Sequence, residues 1–337
     1  MNNRFRSLFS ALLVLVLLLS CAVNAAQAGD GVTVDVSAKF LYSEARSMLD
    51  LINNFRTGSD AYYVDKDNKT QVQVKGLKKL QYDYNLEKTA MLRALEIAVL
   101  FSHTRPNGKK WSTAHSGSYT RGENIAYGYG SASAAFKGFR EDKKNYSGQG
   151  HRRNMLQSGF TRVGFGCVKV GNTVYWAQEF SSGKAGGSSS QKFSARTVDA
   201  SWKTLSAGKT KISVSANKLT LAQGESVDLP KVILVSNSGA KNGLHQPQWK
   251  SSNSKIAKVN GSKIVGVKAG KVNLTVDVNG TALKVAVQVT KKSGKGAATE
   301  ILEDYGTPLG SEDTGIFFPD DEEAAYEEAG ATGDTDE

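Results

Sequence analysis

Four side chains in this 337-residue sequence have the types and spacing to do chemistry together: His103, Glu123, Asp142 and His151. His103 follows Phe101-Ser102. Glu123 lies in Gly122-Glu123-Asn124-Ile125-Ala126. Asp142 lies in Phe139-Arg140-Glu141-Asp142, ahead of Tyr146, and His151 in Gly150-His151-Arg152-Arg153-Asn154. Two neutral imidazoles with carboxylates suit Zn²⁺ at about 2.0–2.2 Å, with a fourth position open to water if one acid stays out. A metal so held lowers the pKa of its water and makes hydrolysis conceivable. Without a metal, a His–carboxylate pair is a general base. Neither Gly-x-Ser-x-Gly nor His-Glu-x-x-His occurs, so the sequence offers no activated nucleophile of those kinds. Cys167, between Gly166 and Val168 in a predicted strand, reads as core.

Each of these residues also has a plainer role open to it. His103 closes a predicted helix, where an imidazolium meets the negative end of the dipole. Glu123 has the amides of its own turn to bond. Glu141 and Asp142, beside Lys143 and Lys144, fit a solvated helix face on which the two acids point about 100° apart. His151 opens a short helix, where a cation gains nothing from the dipole.

The elements that must position these groups follow from periodicity. Residues 41–56 place Leu41, Ala45, Met48, Leu49, Ile52 and Phe55 at helical spacing, and residues 85–103 do the same with Leu86, Ala90, Ala94, Leu95, Ala98 and Phe101. Pro106 and Gly108 stop that second helix. Residues 131–144 predict a third helix and 151–157 a short fourth. Residues 71–75 predict a short strand, and residues 162–181 a hairpin broken at Gly171-Asn172. Helices followed by strands within about 140 residues predict an α+β domain.

Taken in order, Phe101-Ser102-His103, Gly122-Glu123-Asn124-Ile125-Ala126, Phe139 to Tyr146, Gly150-His151, Gly164-Phe165-Gly166 and Tyr175-Trp176-Ala177-Gln178-Glu179-Phe180 resemble the CAP superfamily. That superfamily takes in cysteine-rich secretory proteins, venom antigens and class 1 plant pathogenesis-related proteins, and the likeness is nearest to its bacterial, SCP-like secreted members. The resemblance covers residues 40–182 and implies an α-β-α sandwich with an open cleft. Two His and two acids line the cleft, and in several members they hold a divalent cation. Carried over by position, these are His103, Glu123, Asp142 and His151. Phe139 stands in a usual Trp place and Asp142 in a usual Glu place. Glu141, Asn124, Tyr146 and Gln178 would support the site, as would Trp176. His115, in a longer connection, is a lesser candidate. The resemblance offers a divalent cation, Zn²⁺ first, and a lipid or other small apolar molecule as ligand.

Gly183–Gln191 is linker-like in composition, and 183–210 is read as a linker. Residues 211–290 change to short β-rich runs every 8–12 residues, with Asn279-Gly280 the strongest turn between them. Trp249 to Val259, then Val265-Gly266-Val267-Lys268-Ala269-Gly270-Lys271-Val272, resemble a bacterial Ig-like group 2 domain, a spacer or adhesive module in its families. Ile256, Val259, Ile264, Val267, Val272, Leu274 and Val276 would fill this all-β sandwich.

Residues 1–28 read as a signal peptide. Arg4 and Arg6 precede a Leu8–Leu19 apolar run too short to span a bilayer, and Ala26-Gln27-Ala28 fits a cleavage site. Leu18-Leu19-Ser20-Cys21 resembles a lipobox, so acylation at Cys21 stays open as the alternative. Either route places the protein outside the cytoplasm or at the cell surface, and no later segment suits a transmembrane anchor. The formal net charge of +11 hides a division. Residues 300–337 hold 14 acids and no Lys or Arg, which leaves +25 on residues 1–299. The tail, 291–337, reads as disordered. The basic charge is spread along strands rather than clustered with aromatics. It therefore predicts wall polymers or anionic lipid headgroups as partners, and not nucleic acid. The acidic tail is expected to compete for the same basic surface.

Three functions are compatible with these residues. The first is a secreted CAP-type protein that binds a ligand in its cleft. The second is a metal-dependent hydrolase or protease using the four cleft residues. The third is a wall adhesin or spacer acting through residues 211–290.

Overall fold

A computed structural model of the chain describes residues 30–117, 119–183, 189, 192–292 and 324–327. The first part runs β1 (Gly31–Asp35), β2 (Ala38–Phe40), α1 (Tyr42–Arg46), α2 (Met48–Thr57), β3 (Tyr62–Val64), β4 (Gln71–Gln73), β5 (Gln81–Tyr82) and α3 (Tyr84–Val99). It continues with β6 (Arg121–Tyr127), α4 (Ala132–Arg140), α5 (Gly150–Met155), β7 (Arg162–Val170) and β8 (Thr173–Ser181). Helix α3 starts where the Asp83 carboxylate accepts from the Asn85 and Leu86 amides at 2.8 and 3.2 Å, an N-cap that satisfies two orphan donors. Its Ala90, Ala94 and Ala98 are fully covered. They allow the helix to lie against two glycines of β7. A Cβ on Gly164 would stand 2.2 Å from the Glu87 amide nitrogen, and one on Gly166 would stand 2.0 Å from the Ala90 carbonyl. Nothing larger than glycine fits under the helix, and this contact holds α3 over the strands that carry the acids.

The strands order as β2-β7-β8-β6, with β5 parallel to β7. The expected hairpin forms as β7 and β8, paired from Arg162↔Ser181 to Val170↔Thr173 around Gly171 at φ 57°. The helices are shorter than periodicity predicts. The 41–56 helix is divided at Ser47, the 85–103 helix ends at Val99 with Leu100 extended, and the 131–144 helix ends at Arg140. Periodicity measures the apolar face alone and takes no account of where a terminal residue leaves helical dihedrals.

The second part adds β9 (Thr197–Ser201), α6 (Trp202–Ala207), β10 (Lys211–Val214), β11 (Lys218–Ala222), β12 (Ser226–Asp228), β13 (Val232–Val235) and β14 (Lys241–Leu244). These are followed by β15 (Lys250–Ser251), β16 (Ala257–Asn260), β17 (Lys263–Gly266), β18 (Gly270–Val278) and β19 (Thr281–Thr290). Three sheets result, ordered β10-β13-β14-β1-β9, β11-β19-β18-β15 and β12-β17-β16. The turn between β18 and β19 uses Asn279 and Gly280, both at positive φ, 50° and 78°, as a two-residue hairpin of that dipeptide should. Ile264, Val272, Leu274 and Val276 are buried as alternation predicts, and Ile256 and Val259 are partly covered. Val267 is 41% exposed, contrary to expectation, because β17 ends at Gly266 and the alternation ends with it.

Two features differ from the expected layout. The stretch read as a linker contains β9 and α6, and β9 pairs with the N-terminal β1, which in turn pairs with β14. The ends of the first part are thus stitched into the second part's sheet. The Asn242 amide also donates to the Ala98 carbonyl at 3.0 Å, and the Ser201 amide to Pro106 O at 2.8 Å. The expected leader, with Cys21, lies outside the described residues, as does most of the expected tail. Of that tail, Ala324–Glu327 forms a strand, β20, antiparallel to β6.

Candidate functional site

Strand β6 brings Glu123 to the α3 side of the sheet, and β8 brings Glu179 to the same side, directly opposite it in register. Alternation sends their neighbours Asn124 and Gln178 the other way. The Asn124 amide donates to Gln178 Oε1 at 2.8 Å and to the His151 carbonyl at 3.1 Å, and Asn154 donates back to Asn124 Oδ1 at 2.9 Å. Asn124 and Gln178 therefore brace α5 against β6. Trp176 braces the Tyr129 carbonyl at 2.8 Å.

Glu123 meets a guanidinium and an imidazole. Arg93, from α3, donates its Nε to Oε2 at 2.6 Å and its Nη2 to Oε1 at 3.2 Å. His103 Nδ1 meets Oε1 at 2.6 Å. The same guanidinium donates Nη1 to Glu96 Oε2 at 2.6 Å and Nη2 to the Ser102 carbonyl at 2.8 Å. Glu96 in turn receives Arg105 at 2.7 Å. On the far side of the carboxylate pair, His115 Nε2 meets Glu179 Oε2 at 2.7 Å, with its ring edge-on to Trp111. The side chains of Arg93, Glu123, Glu179 and His115 are completely covered, whereas His103 is 12% exposed and Arg105 13%. His103 Nε2 has no hydrogen-bond partner among the described residues. His103 lies beyond the end of α3, in the bend just before the Thr104–Lys110 bridge, so it does not cap a helix.

The charges divide unequally. Burial alone would raise the Glu123 carboxyl, but Arg93 and His103 outweigh it and hold the group well below the ordinary carboxylate range. Burial opposes the charge on Arg93 too, and the facing carboxylates of Glu123 and Glu96 more than restore it. Glu179 is pushed well above the ordinary range by burial and then by the negative charge of Glu123. The two facing carboxyls are thus pushed in opposite directions, Glu123 down and Glu179 up. Burial also raises the Cys167 thiol, which confirms it as core rather than nucleophile.

The second expected half of the site forms elsewhere and with a different acid. His151, fully buried, pairs through Nδ1 with Glu141 Oε1 at 2.8 Å and lies edge-on to Phe139. Asp142 is not its partner. Its side chain is 42% exposed and bonds Arg152 at 2.7 Å and Arg140 at 3.0 Å. The reason is local. Helix α4 ends at Arg140, and Glu141 takes a left-handed conformation, φ 50°, which turns its side chain inward and the next one outward. An argument from continuous helix geometry fails at that residue. Tyr146 is also outside the site, stacked on the Arg153 guanidinium 4.2 Å from the ring centroid.

Three of the four residues expected to share one cleft fall into two separate pairs, His103–Glu123 and His151–Glu141, and the fourth, Asp142, joins neither. The residues that enlarge the first pair are His115, Glu179, Arg93 and Glu96. Glu179 was visible in the Tyr175–Phe180 run, and Arg93 was visible as a charge among the alanines of an apolar helix face. Their significance rests on the β6–β8 register and on the α3 contact. Among the described residues, no group of three or more His, Cys, Asp or Glu is arranged to hold a metal ion. The lone pairs of Glu123 that would ligate one already receive Arg93 and His103. The expected Zn²⁺ set is not brought together.

The profile of the cysteine-rich secretory protein family, CAP, matches residues 49–180. The chain is similar to the uncharacterised protein YkwD of Bacillus subtilis strain 168, 34% identical over 114 residues, which cover 32% of this chain and 41% of that protein. The chain thus spans about two fifths of the length of the curated relative it matches. Among solved structures, it is similar to the crystal structure of NaASP2 with Zn²⁺, at 21% identity and a TM-score of 0.34, covering 44% of this chain and 82% of that one. It is also similar to Schistosoma mansoni venom allergen-like protein 4, at 15% identity and a TM-score of 0.32, covering 46% and 96%. Residues 49–180 of this chain are a CAP domain.

Proposed function

We propose that this is a secreted CAP-domain protein that binds a ligand at the cell surface or wall and carries out no reaction on it. One observation supports this above the others: of the ionised and protonated groups gathered around Glu123, only His103 and Arg105 reach the surface. Glu123 and Glu179 are dehydrated and spoken for, so the site offers a ligand an edge rather than a reaction centre. The class of ligand that the family resemblance supplies is a lipid or another small apolar molecule. The basic surface adds attraction for wall polymers or lipid headgroups. Among the described residues, no helix is long and apolar enough to cross a membrane. Native mass spectrometry of the secreted protein should show a co-purifying small molecule, reduced in His103→Ala. A clean apo spectrum from several growth conditions would overturn the reading. The same spectra give the mature mass, which separates cleavage after Ala28 from acylation at Cys21.

One observation favours a hydrolase as the second reading. Two carboxyls facing each other in register, with their proton affinities pushed in opposite directions, are how a site assigns an acid and a base. In that reading Glu179 delivers the proton and Glu123 orients His103, with no metal. Turnover of any member of a broad ester, peptide and glycoside panel, lost in Glu179→Gln, would establish it.

A further inference from the structure

We infer that Arg93 is the permanent cation of this site, and that its guanidinium is what keeps a divalent metal out of the Glu123 cluster. The inference concerns the same residues as the proposed function but does not depend on which ligand the cleft takes.

The argument starts from valence and charge. Each oxygen of Glu123 already accepts a charged or polar hydrogen bond at 2.6 Å, Oε2 from Arg93 and Oε1 from His103, with Arg93 Nη2 also on Oε1 at 3.2 Å. A metal ion bonds carboxylate oxygen at about 2.0–2.2 Å, so an ion on either oxygen would compete with these donors and stand against the positive charge of a guanidinium held 2.6 Å from Oε2. Arg93 has nowhere to go: it is fully buried, it bonds Glu96 at 2.6 Å and the Ser102 carbonyl at 2.8 Å, and it sits on the helix that Gly164 and Gly166 hold against the sheet. Nor can it make room by losing its proton, because a guanidinium stays charged in proteins. A buried lysine would have had that escape.

The local charge leads to the same conclusion. Arg93 and Arg105 face Glu96 and Glu123, two cations against two anions. Those paired charges leave the two carboxylates no surplus negative charge to draw in a doubly charged ion. Without the guanidinium, the oxygens it now bonds, from Glu123, Glu96 and the Ser102 carbonyl, would face a vacated cation site, with His103 on Glu123.

The test is a Zn²⁺ titration by calorimetry on full-length protein stripped with chelator, with Co²⁺ absorption as a second readout. The wild type should bind no ion that Glu123→Gln removes. Arg93→Met should gain one site, at least tenfold tighter than any wild-type binding, and lose it again when Glu123→Gln is added. Arg93→Lys, which keeps a charge, should gain less than Arg93→Met. A wild-type site abolished by Glu123→Gln overturns the inference, as does a folded Arg93→Met protein with no gain. If Arg93→Met does not fold, the wild-type and Glu123→Gln comparison decides alone. Loss of a co-purifying ligand in His103→Ala tests the binding function and is unaffected by either metal result.

Discussion

Glu123 and Glu179 stand directly opposite each other on neighbouring strands β6 and β8, both completely buried, with the Glu123 carboxyl pushed below the ordinary range and the Glu179 carboxyl above it. Two like carboxylates in register are ordinarily destabilising. Here Arg93 and His103 offset the cost on the Glu123 side, and on the other side burial and the charge of Glu123 favour the neutral form of Glu179.

This division sets opposite pH slopes. A Glu is ordinarily half-protonated near about 4.3. Glu123 is lowered in the folded state, so its stabilisation is present above that value and is lost as pH falls toward the folded pKa. Glu179 is raised, so its favourable contribution holds below that value and is lost as pH rises from about 4.3 toward its folded pKa. Glu179→Gln removes the second slope only. Its melting temperature relative to wild type should improve from pH 5 to pH 8; an offset that stays constant or moves the other way would contradict the upward shift of Glu179.

Removal of Arg93 leaves the buried Glu123 carboxylate without its guanidinium and Glu96 with Arg105 alone. In metal-free buffer, Arg93→Met should destabilise the chain by about 3–5 kcal/mol, the range for breaking one side of a buried ion pair. Urea unfolding measures it. Arg93→Met/Glu123→Gln should recover part of the loss, because an uncharged amide no longer demands a counter-ion.

The choice between neighbouring acids is directly testable. Glu141→Ala strips the inward carboxylate from His151 and from the Arg152 amide, 3.2 Å away, and should cost about 1–3 kcal/mol. Asp142→Asn changes a half-exposed pair with Arg140 and Arg152 and should cost no more than about 1 kcal/mol. Equal losses in thermal melts would reject the assignment.

The charge division makes a prediction of its own. We propose that the 14 acids of residues 300–337 compete with outside polyanions for the basic body. Deletion of residues 300–337 should then delay elution from a heparin or teichoic-acid column, by more at low salt than at high. Unchanged elution would remove the idea.

How much was legible in the sequence varied with the range of the interaction. The α3 helix, the β7–β8 hairpin, the β-rich 211–290 stretch and the His103–Glu123 pair all follow from local spacing and from the Phe101 to Phe180 motifs. Periodicity of 3.6 and 2 is a property of the chain itself, and so are the turn preferences of Gly171-Asn172 and Asn279-Gly280. A single residue at positive φ, Glu141, was enough to exchange the roles of two adjacent acids, and no pattern of residue types declares that conformation.

The sequence by itself determined the elements, the CAP motifs and the uneven charge. Only the tertiary structure decided which side chains meet. The β6–β8 register put Glu179 opposite Glu123, and two glycines allowed α3 to bring Arg93 onto that pair. Register and helix–sheet approach are set by contacts between residues far apart in the chain. Arg93 and Glu123 are 30 positions apart and Glu123 and Glu179 are 56, so local spacing carries no trace of their meeting.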